Sequence, residues 1–402
     1  MGAIPYGKQL ITEEDIAAVV AVLKSDYLTQ GPQVGAFEKA FANYIGCRYA
    51  VAVSNGTAAL HLSALALGVK PGDRVITTPV TFAASANCVR YCGGIVEFAD
   101  IDPTTGLLDI NKVEALLKQH PRGYYSGIIP VDFAGYPVNL EALRKLADEH
   151  GLWILEDACH APGGYFTDSA GVQQNCGNGV YADAAIFSFH PVKHIATGEG
   201  GMITTNNHEV FKKLQLLRTH GITREAADFA GYPGSDGNID KEMMGGWYME
   251  MQTLGYNYRV PDILTALGLS QLSRAEAGLR RRRQLADTYD TAFASNPNIQ
   301  VLNPLPNKEQ LAAGIGHAYH LYIIKVPQRK ALYDYLRSNN IFAQVHYIPV
   351  HLMPDYRNLG WKKGDFPQAE HYYEQCLSLP MFPSLTDEEQ AWVIEKVCSF
   401  FQ

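Results

Sequence analysis

The sequence has little that would direct it to a membrane or to a nucleic acid. Within its 402 residues no segment approaches the roughly 18 consecutive apolar positions that a membrane-spanning helix needs. The formal net charge is -8, which gives no general attraction to nucleic acid or to an anionic membrane surface. We therefore expect neither a membrane nor a nucleic acid among its partners.

One basic run stands out against this acidic background. Residues 280–283 are all arginine. Successive helical residues point about 100° apart, so four adjacent arginines form no one-sided basic patch. We expect this run to be solvated or to face a second subunit.

The cysteine pattern excludes a C-x-x-C motif and a zinc site. The seven cysteines are scattered, and no pair has the C-x-x-C spacing. Cys88 and Cys92 are close, but no histidine lies near them to complete a zinc site, so no metal site is predicted. Reduced thiols and a cytoplasmic location are expected, together with no signal peptide, because the N-terminal segment lacks an apolar region.

Short apolar segments alternate with helical segments through the first 260 residues. This alternation is typical of an α/β protein with a mainly parallel sheet. Predicted strands are residues 50–54, 74–78, 95–99, 127–131, 152–155, 185–190 and 201–205. Predicted helices are residues 12–24, 34–45, 58–67, 83–91, 111–118 and 140–150.

We predict two domains, residues 1–260 and 261–402. A long helical pattern from Pro261 to about Phe293 connects them. The smaller C-terminal domain is predicted to be α+β, with strands at 319–325 and 343–350 and helices at 329–338 and 387–400. The segment Asp228–Met251 is rich in Gly, Met and Trp without clear periodicity, which indicates an insertion or a flexible loop.

Lys193 lies at an unusual place in the pattern. It follows a predicted buried strand and a proline, and it precedes the glycine-rich run 198–201. Lysine is rarely buried without a partner. A carbonyl bound as a Schiff base is one such partner, and it would make the lysine a catalytic residue. A surface lysine on a loop explains the same pattern about equally well.

Asn55, Gly56 and Thr57 separate a predicted strand from a predicted helix. In a strand–turn–helix unit, free backbone N–H groups and the helix dipole converge on one spot, which suits an anion. Many α/β turns look alike, so this pattern alone is weak.

Asp157 is expected at the carboxyl end of a strand, where ligands of parallel sheets bind. Its carboxylate could hold the N–H of a pyridine ring, or it could cap the following turn. His160 could donate to an oxygen of a cofactor, or it could also cap. The residues alone leave both alternatives open.

Four motifs in order carry a family resemblance: residues 54–57 (SNGT), 156–160 (EDACH), 188–193 (SFHPVK) and 198–201 (GEGG). Together they resemble the DegT/DnrJ/EryC1/StrS family over nearly the whole chain. The resemblance implies the aspartate-aminotransferase (type I PLP) fold, pyridoxal 5'-phosphate as cofactor, and amino transfer to nucleotide-linked keto-sugars. Some family members have histidine at the Schiff-base position and act as dehydratases, whereas this chain keeps Lys193.

The resemblance also implies roles for individual residues. Lys193 would be the Schiff-base lysine, Asp157 the partner of the pyridine nitrogen, and His160 a contact of the phenolic oxygen. The remaining cofactor contacts would be Phe82, stacked on the ring, and Gly56, Thr57, Ser188 and Asn257 at the phosphate, with Asn257 reaching the neighbouring subunit of a homodimer. The sugar site would include Tyr6, Tyr27, Leu28, Thr29, Tyr258 and His346.

Within the family, residues 344–351, 250–252, 255–259 and 364–367 resemble the pseudaminic-acid branch. This implies transfer of the amino group of L-glutamate to C4 of a UDP-linked 4-keto-6-deoxy-N-acetylhexosamine, with 2-oxoglutarate as the second product. Three alternatives remain open: the same reaction on a bacillosamine, perosamine or aminoarabinose precursor; a lyase or dehydratase; and a cofactor-free binding protein in which Lys193 is structural.

Overall fold

The computed structural model describes residues 2–233, 238–240 and 243–402. Strands and helices alternate along most of its length. The strands are β1 (Ile4–Pro5), β2 (Tyr49–Val53), β3 (Arg74–Thr77), β4 (Ile95–Phe98), β5 (Gly127–Ile129), β6 (Trp153–Asp157), β7 (Tyr165–Thr167), β8 (Gln173–Asn175), β9 (Ala184–Ser188), β10 (Gly201–Thr205), β11 (Ile222–Thr223), β12 (Glu250–Met251), β13 (Gln300–Val301), β14 (Ile315–Gly316), β15 (Tyr322–Lys325), β16 (Ile341–Phe342) and β17 (Cys376–Leu379). The helices are α1 (Glu13–Leu23), α2 (Pro32–Ile45), α3 (Gly56–Ala66), α4 (Ala84–Tyr91), α5 (Ile110–Lys118), α6 (Leu140–His150), α7 (His208–Arg218), α8 (Asp262–Leu272), α9 (Ala275–Phe293), α10 (Asn307–Ala312), α11 (Arg329–Ser338), α12 (Pro354–Asn358), α13 (Pro367–Gln375) and α14 (Asp387–Phe400).

The largest sheet of the described residues has seven strands in the order β2-β10-β9-β6-β5-β3-β4. The pairs from β4 through β3, β5 and β6 to β9 are parallel, and β10 runs antiparallel to both β9 and β2. The expected mainly parallel α/β sheet is therefore confirmed. Its parallel strands end at one edge, and that edge carries the candidate site.

The central strands are apolar because both faces of the sheet are covered. Ile76 of β3, Ile128 of β5 and Ile186 of β9 are fully buried. α3 packs on one part of this sheet, against β9 and β10. Continuous burial of this kind produces apolar runs in place of strict alternation, which is why these strands can be read from the sequence.

The C-terminal part forms a smaller antiparallel sheet in the order β13-β15-β17. Its own core gathers Tyr289 of α9, Tyr322 of β15, Leu332 of α11 and Val393 of α14. Two pairings join this part to the earlier residues: β1 lies parallel to β16, and β14 lies antiparallel to β7. The boundary at residue 260 stays a prediction.

Two C-terminal expectations were wrong in detail. The predicted strand 343–350 does not form: β16 ends at Phe342, and His346 lies in the irregular segment that follows. There the His346 carbonyl accepts a hydrogen bond from the Tyr372 hydroxyl (2.6 Å), so a side chain takes the place of a strand partner. The predicted long helix from Pro261 is two helices, α8 and α9, separated at Ser273–Arg274, where Arg274 forms a paired contact with the buried Asp15.

The expectation that the arginine run is solvated or faces a second subunit is wrong for Arg282. Arg282 is 1% exposed, and its guanidinium donates to the carbonyls of Tyr319 (3.1 Å), His320 (3.3 Å) and Met381 (2.8 Å). Burial lowers the pKa of Arg282 to about 10. An arginine can be buried when its donors find carbonyl acceptors, and neighbouring residues alone do not reveal those acceptors.

The segment Asp228–Met251 leaves and rejoins the fold through one short pairing. Thr223 of β11 lies opposite Glu250 of β12, and Ile222 lies opposite Met251. Residues 234–237 and 241–242 of this segment lie outside the described residues. The pairing of β11 with β12 therefore brings the two ends of the segment together. The residues between these strands form an insertion in the sequence.

Two further observations concern membrane-spanning helices and cysteines. Among the residues that the structure describes, no helix has both the length and the apolar character needed to cross a membrane. All seven cysteines are unpaired.

Candidate active site

A cavity of about 420 Å³ opens at the carboxyl edge of the large sheet. Strand ends from different parts of the chain meet here: Asp157 ends β6, Ser188 ends β9, and Phe82 follows β3. Parallel strands necessarily bring such residues to one edge. The predicted residues that line the cavity are Tyr6, Gly56, Thr57, Phe82, Asp157, His160, Ser188, Lys193 and His346.

The Asp157 carboxylate is 5% exposed and is held by two donors. The Ser85 hydroxyl donates to Oδ2 at 2.6 Å, and the backbone N–H of Cys159 donates to Oδ1 at 3.2 Å. The second bond shows that Asp157 does cap the turn after β6, one of the two alternatives that the sequence left open. Two carboxylate oxygens offer about four acceptor positions, so this carboxylate can still accept a donor from a ligand.

Lys193 reaches the same cavity from the loop after β9. A turn fixes the loop, because the backbone N–H of Lys193 donates to the His190 carbonyl at 2.8 Å. Burial lowers the pKa of the Lys193 ammonium, the Cys159 and Asp157 groups oppose that shift, and the Arg282 charge adds to it. The net lowering gives Lys193 more free amine at neutral pH than an exposed lysine has, as proton transfer or carbonyl addition requires.

The N-terminus of α3 faces the cavity as an anion cradle. The Asn55 side chain caps the helix by accepting the N–H of Ala58 at 2.8 Å. Among the described residues, the N–H groups of Gly56 and Thr57 make no hydrogen bond, and both residues line the cavity. A Cβ on Gly56 would lie 3.0 Å from the Cβ of Ser188, so a side chain there would fill the cradle.

His160 is 4% exposed, and both of its ring nitrogens already have protein neighbours. Nδ1 accepts the N–H of Ala134 (3.3 Å), and Nε2 lies 3.2 Å from the Tyr347 hydroxyl. Because Nδ1 accepts, Nε2 carries the proton of the neutral ring. Burial lowers the pKa of His160 well below its usual range, helped by the charge of Lys193, so His160 is a neutral donor in this cavity.

Tyr6 and His346 both line the cavity and lie side by side, with ring centroids 5.0 Å apart. Nδ1 of His346 lies 2.8 Å from the Ser378 hydroxyl. Burial and the charge of Lys193 lower the pKa of His346 to about 3, so the ring is neutral over the physiological range. Phe82, 63% exposed, stands at the mouth of the cavity.

Five predicted residues lie outside the cavity of their own chain. Tyr27, Leu28 and Thr29 are exposed on the loop before α2, and Asn257 is exposed beside α7. The Tyr258 hydroxyl lies 3.2 Å from Nδ1 of His61, which gives it a packing role in this chain. A ligand contact by any of these residues would require a second subunit and stays a prediction.

Sequence reasoning missed several residues of the cavity wall. Thr81 and Ser85 follow β3 in the sequence and line the cavity. Small polar residues that follow a buried strand were a sequence signal that could have identified them. His320 and Tyr347 come from the C-terminal part. No local pattern predicts them, because only tertiary packing brings them to the large sheet.

A buried acidic cluster lies behind the cavity. Asp132, Glu156 and Cys176 place ligand-type atoms within 4.8 Å of one another. Burial raises the pKa of Asp132 to about 6 and that of Glu156 well above its usual range. Backbone N–H groups of Val138 and Gly177 hold the two carboxyl groups, so a shared proton accounts for this cluster without a metal ion.

The cavity fits a pyridoxal phosphate molecule in its chemistry. The orphan N–H groups of α3 suit a phosphate, the Asp157 carboxylate suits a protonated pyridine nitrogen, and the Lys193 amine suits an aldehyde. All three groups line one cavity that is large enough for a small cofactor and part of a substrate. Fold and site together define a pyridoxal-phosphate-dependent enzyme.

Comparison with known proteins identifies the kind of enzyme. Residues 9–398 match the model of the DegT/DnrJ/EryC1/StrS aminotransferase family, and the chain belongs to that family. It is a pyridoxal-phosphate-dependent sugar aminotransferase. This result removes the alternative of a cofactor-free binding protein.

Relatives match over the whole length of the chain. It is 38% identical to the spore coat polysaccharide biosynthesis protein SpsC of Bacillus subtilis, over 98% of this chain and 96% of that protein. It is 33% identical to the UDP-4-amino-4,6-dideoxy-N-acetyl-beta-L-altrosamine transaminase of Campylobacter jejuni serotype O:2, over 99% and 98%.

Solved structures confirm the expected aminotransferase fold. Helicobacter pylori PseC, an aminotransferase of pseudaminic acid biosynthesis, matches with a TM-score of 0.85 at 31% identity and covers 99% of both chains. The PLP form of Spr1654 from Streptococcus pneumoniae matches with a TM-score of 0.84 at 29% identity, over 98% and 97%. Pyridoxal phosphate as the cofactor is thereby supported on the same fold.

Proposed function

We propose that this enzyme transfers the amino group of L-glutamate to C4 of a UDP-linked 4-keto-6-deoxy-N-acetylhexosamine. The product would be UDP-4-amino-4,6-dideoxy-N-acetyl-beta-L-altrosamine, a precursor of pseudaminic acid. The observation that carries this proposal is the full-length similarity to the Campylobacter transaminase, joined by the whole-chain match to PseC.

A second candidate is the same transamination on another nucleotide keto-sugar, such as a bacillosamine, perosamine or aminoarabinose precursor. The 38% identity to SpsC favours it, because a protein of spore coat polysaccharide biosynthesis is at least as similar to this chain as the altrosamine transaminase is. Both candidates need the same catalytic groups and differ only in the shape of the sugar site.

The geometry of the cavity supports the catalytic roles that we propose. When bound, pyridoxal phosphate supplies an aldehyde that carries the amino group and a ring that accepts electrons. The Lys193 amine, with its lowered pKa, removes the α-proton of glutamate and later returns a proton to C4 of the sugar. The Asp157 carboxylate would hold the ring N–H, and the neutral His160 would contact a ligand oxygen from the cavity wall.

The proposed binding roles belong to two groups of cavity residues. Gly56, Thr57 and Ser188 would hold the phosphate at the N-terminus of α3, and Phe82 would cover the ring. Tyr6 and His346, which line the same cavity, would contact the sugar.

We also propose that the enzyme is a homodimer with shared active sites. The predicted ligands Asn257, Tyr27, Leu28, Thr29 and Tyr258 lie outside the cavity of their own chain, and all but Tyr258 are exposed. A second copy could bring these residues to the phosphate and the sugar, whereas a monomer could not.

The test is product identification. Purified protein loaded with pyridoxal phosphate is given glutamate and each candidate UDP- or GDP-linked keto-sugar, and the configuration of the product at C4 is assigned by NMR. We expect turnover of the 4-keto-6-deoxy-N-acetylhexosamine with one equivalent of 2-oxoglutarate per amino-sugar. The Lys193→Ala variant is the matched control for non-enzymatic amination.

Two outcomes would contradict the proposal. Faster turnover of a different keto-sugar, with a different C4 configuration, would establish the second candidate. Release of ammonia without 2-oxoglutarate would show a lyase or dehydratase reaction on the same scaffold.

A further inference from the structure

Two buried hydroxyl groups lead from the loop after β3 to Asp157. The Ser85 hydroxyl lies 2.6 Å from Oδ2 of Asp157, and the Thr81 hydroxyl lies 2.8 Å from that of Ser85. Thr81 and Ser85 are each 1% exposed. Buried hydroxyls with these distances form a connected chain that ends on the carboxylate proposed to face the pyridine nitrogen.

The direction of this chain follows from the number of protons. An ionised carboxylate can only accept, so the single proton of the Ser85 hydroxyl goes to Asp157. The Ser85 oxygen then accepts, and Thr81 supplies the proton. Each donor is polarised by the next acceptor, and hydrogen bonds to a charged group are about twice as strong as neutral ones.

The placement of Ser85 is specific to this contact. A serine in the first turn of a helix ordinarily bonds nearby backbone groups. Ser85 is the second residue of α4, yet its side chain reaches Asp157 at the end of β6, across the intervening strand β5. With Cys159 holding Oδ1, the carboxylate is fixed at both oxygens and cannot rotate freely.

We propose that Ser85, supported by Thr81, is a positioning residue that fixes the Asp157 carboxylate in the orientation needed to hold the pyridinium N–H. This inference rests on the proposed role of Asp157. It assigns Ser85 no contact with substrate: the residue acts only through the orientation of Asp157.

The experiment uses Ser85→Ala, Ser85→Thr and Thr81→Val in the full chain. Ser63→Ala is the matched control, because Ser63 is also fully buried and its hydroxyl has no hydrogen-bond partner among the residues that the structure describes. Four quantities are measured: the dissociation constant of pyridoxal phosphate, the 15N chemical shift of the labelled pyridine nitrogen, and kcat and KM for the sugar. Thermal unfolding reports whether each variant folds.

For Ser85→Ala we expect about tenfold weaker cofactor binding and about tenfold lower kcat with KM for the sugar unchanged. The 15N signal should move toward that of an unprotonated ring. Ser85→Thr, which keeps the hydroxyl, should restore most of both losses, and Thr81→Val should show a smaller loss. Ser63→Ala should match the wild type.

The outcomes separate this inference from the function on which it rests. If Asp157→Asn shifts the 15N signal and Ser85→Ala does not, the positioning role is overturned and the role of Asp157 stands. If Asp157→Asn also leaves the signal unchanged, both roles are overturned. A loss in Ser85→Ala that appears only as lower thermal stability, with normal cofactor affinity, would also contradict the inference.

Discussion

The polar wall of the cavity and the segment between β11 and β12 are built in opposite ways. In the wall, Asp157 and His160 are buried, and protein hydrogen bonds fix their orientation. In the other segment, which we call the excursion (residues 224–249), Trp247 is 78% exposed. Just beyond it, Leu254 is 75% exposed.

This difference bears on the two parts of the proposed function. The wall contains the groups that we propose for amino transfer, and all of them come from one chain. The excursion and the residues after it leave apolar side chains exposed, as expected for a surface that a partner covers. In the proposed homodimer, one chain would therefore supply the catalytic groups, and the second chain would add ligand contacts.

The largest effect is expected in the wall, from Lys193→Ala. Removing the amine should lower amino transfer by on the order of 10⁴-fold, because proton transfer loses its base. The measurement is the rate of 2-oxoglutarate formation with saturating sugar. Lys70→Ala, which removes an exposed lysine after α3, should keep the wild-type rate, and equal rates for the two variants would remove Lys193 from the reaction.

Arg282→Met tests the contacts of a buried arginine. The change leaves three buried carbonyls without their donor, so we expect a loss of about 3 kcal/mol in the free energy of unfolding. Arg280→Met, at an exposed position of the same helix, should change it by less than about 0.5 kcal/mol. Urea unfolding measures both, and similar losses would show that burial of Arg282 contributes nothing.

Leu254→Glu tests the exposed apolar surface just beyond the excursion. A charge here should raise the dissociation constant of the proposed homodimer by at least about tenfold, because it would be buried without a partner in the interface. The free energy of unfolding of the monomer should not change. Sedimentation velocity measures the assembly, with Val172→Glu on the β7–β8 turn as the control. An unchanged dimer would place the interface elsewhere.

A pH titration sharpens the contrast between buried and exposed residues. Burial lowers the pKa of His317 to about 3, against about 6.5 in the unfolded chain. The unfolded state therefore binds more protons below pH 6.5, and stability falls as the pH falls toward 3. This one group should remove about 2 kcal/mol of stability between pH 7 and pH 5.

The corresponding variant is His317→Gln, which should lose correspondingly less stability over that interval. His208→Gln, at an exposed position, is the control for removal of a histidine side chain. Chemical unfolding at pH 7 and pH 5 measures the free energy of unfolding of each variant. An identical pH dependence of this free energy in His317→Gln and wild type would contradict a buried, neutral His317.

The smallest effect distinguishes two helix caps. Asn55 caps α3 at the cavity, and Asn139 caps α6 away from it. Each Asn→Ala change should cost about 1 kcal/mol of stability. Only Asn55→Ala should also weaken pyridoxal phosphate binding, because it loosens the N–H groups of the cradle. Equal cofactor affinity in both variants would show that α3 does not hold the phosphate.

The residues of the cavity differ in how well the sequence predicted their positions. Apolar strands and helix-forming runs of the large sheet were visible locally, so Asp157, Ser188 and Lys193 could be placed at strand ends. His346 was placed in a strand that does not exist, because its carbonyl is used by the distant Tyr372.

Long-range contacts explain the remaining errors. The burial of Arg282 depends on carbonyls 37 or more residues away, and His320 reaches the cavity only through packing of the C-terminal part. Hydrophobic periodicity carries no information about such partners. The residues around Asp157 show the same limit: Ser85 lies 72 residues before Asp157, and nothing local connects the two.

The central claim is that Lys193 is the residue that binds the aldehyde of pyridoxal phosphate. The most direct measurement is borohydride reduction of the protein loaded with pyridoxal phosphate, followed by mass spectrometry of its peptides. The account predicts one cofactor per chain, attached to Lys193. Attachment to another lysine, or no attachment with the chain folded and the cofactor in excess, would contradict it.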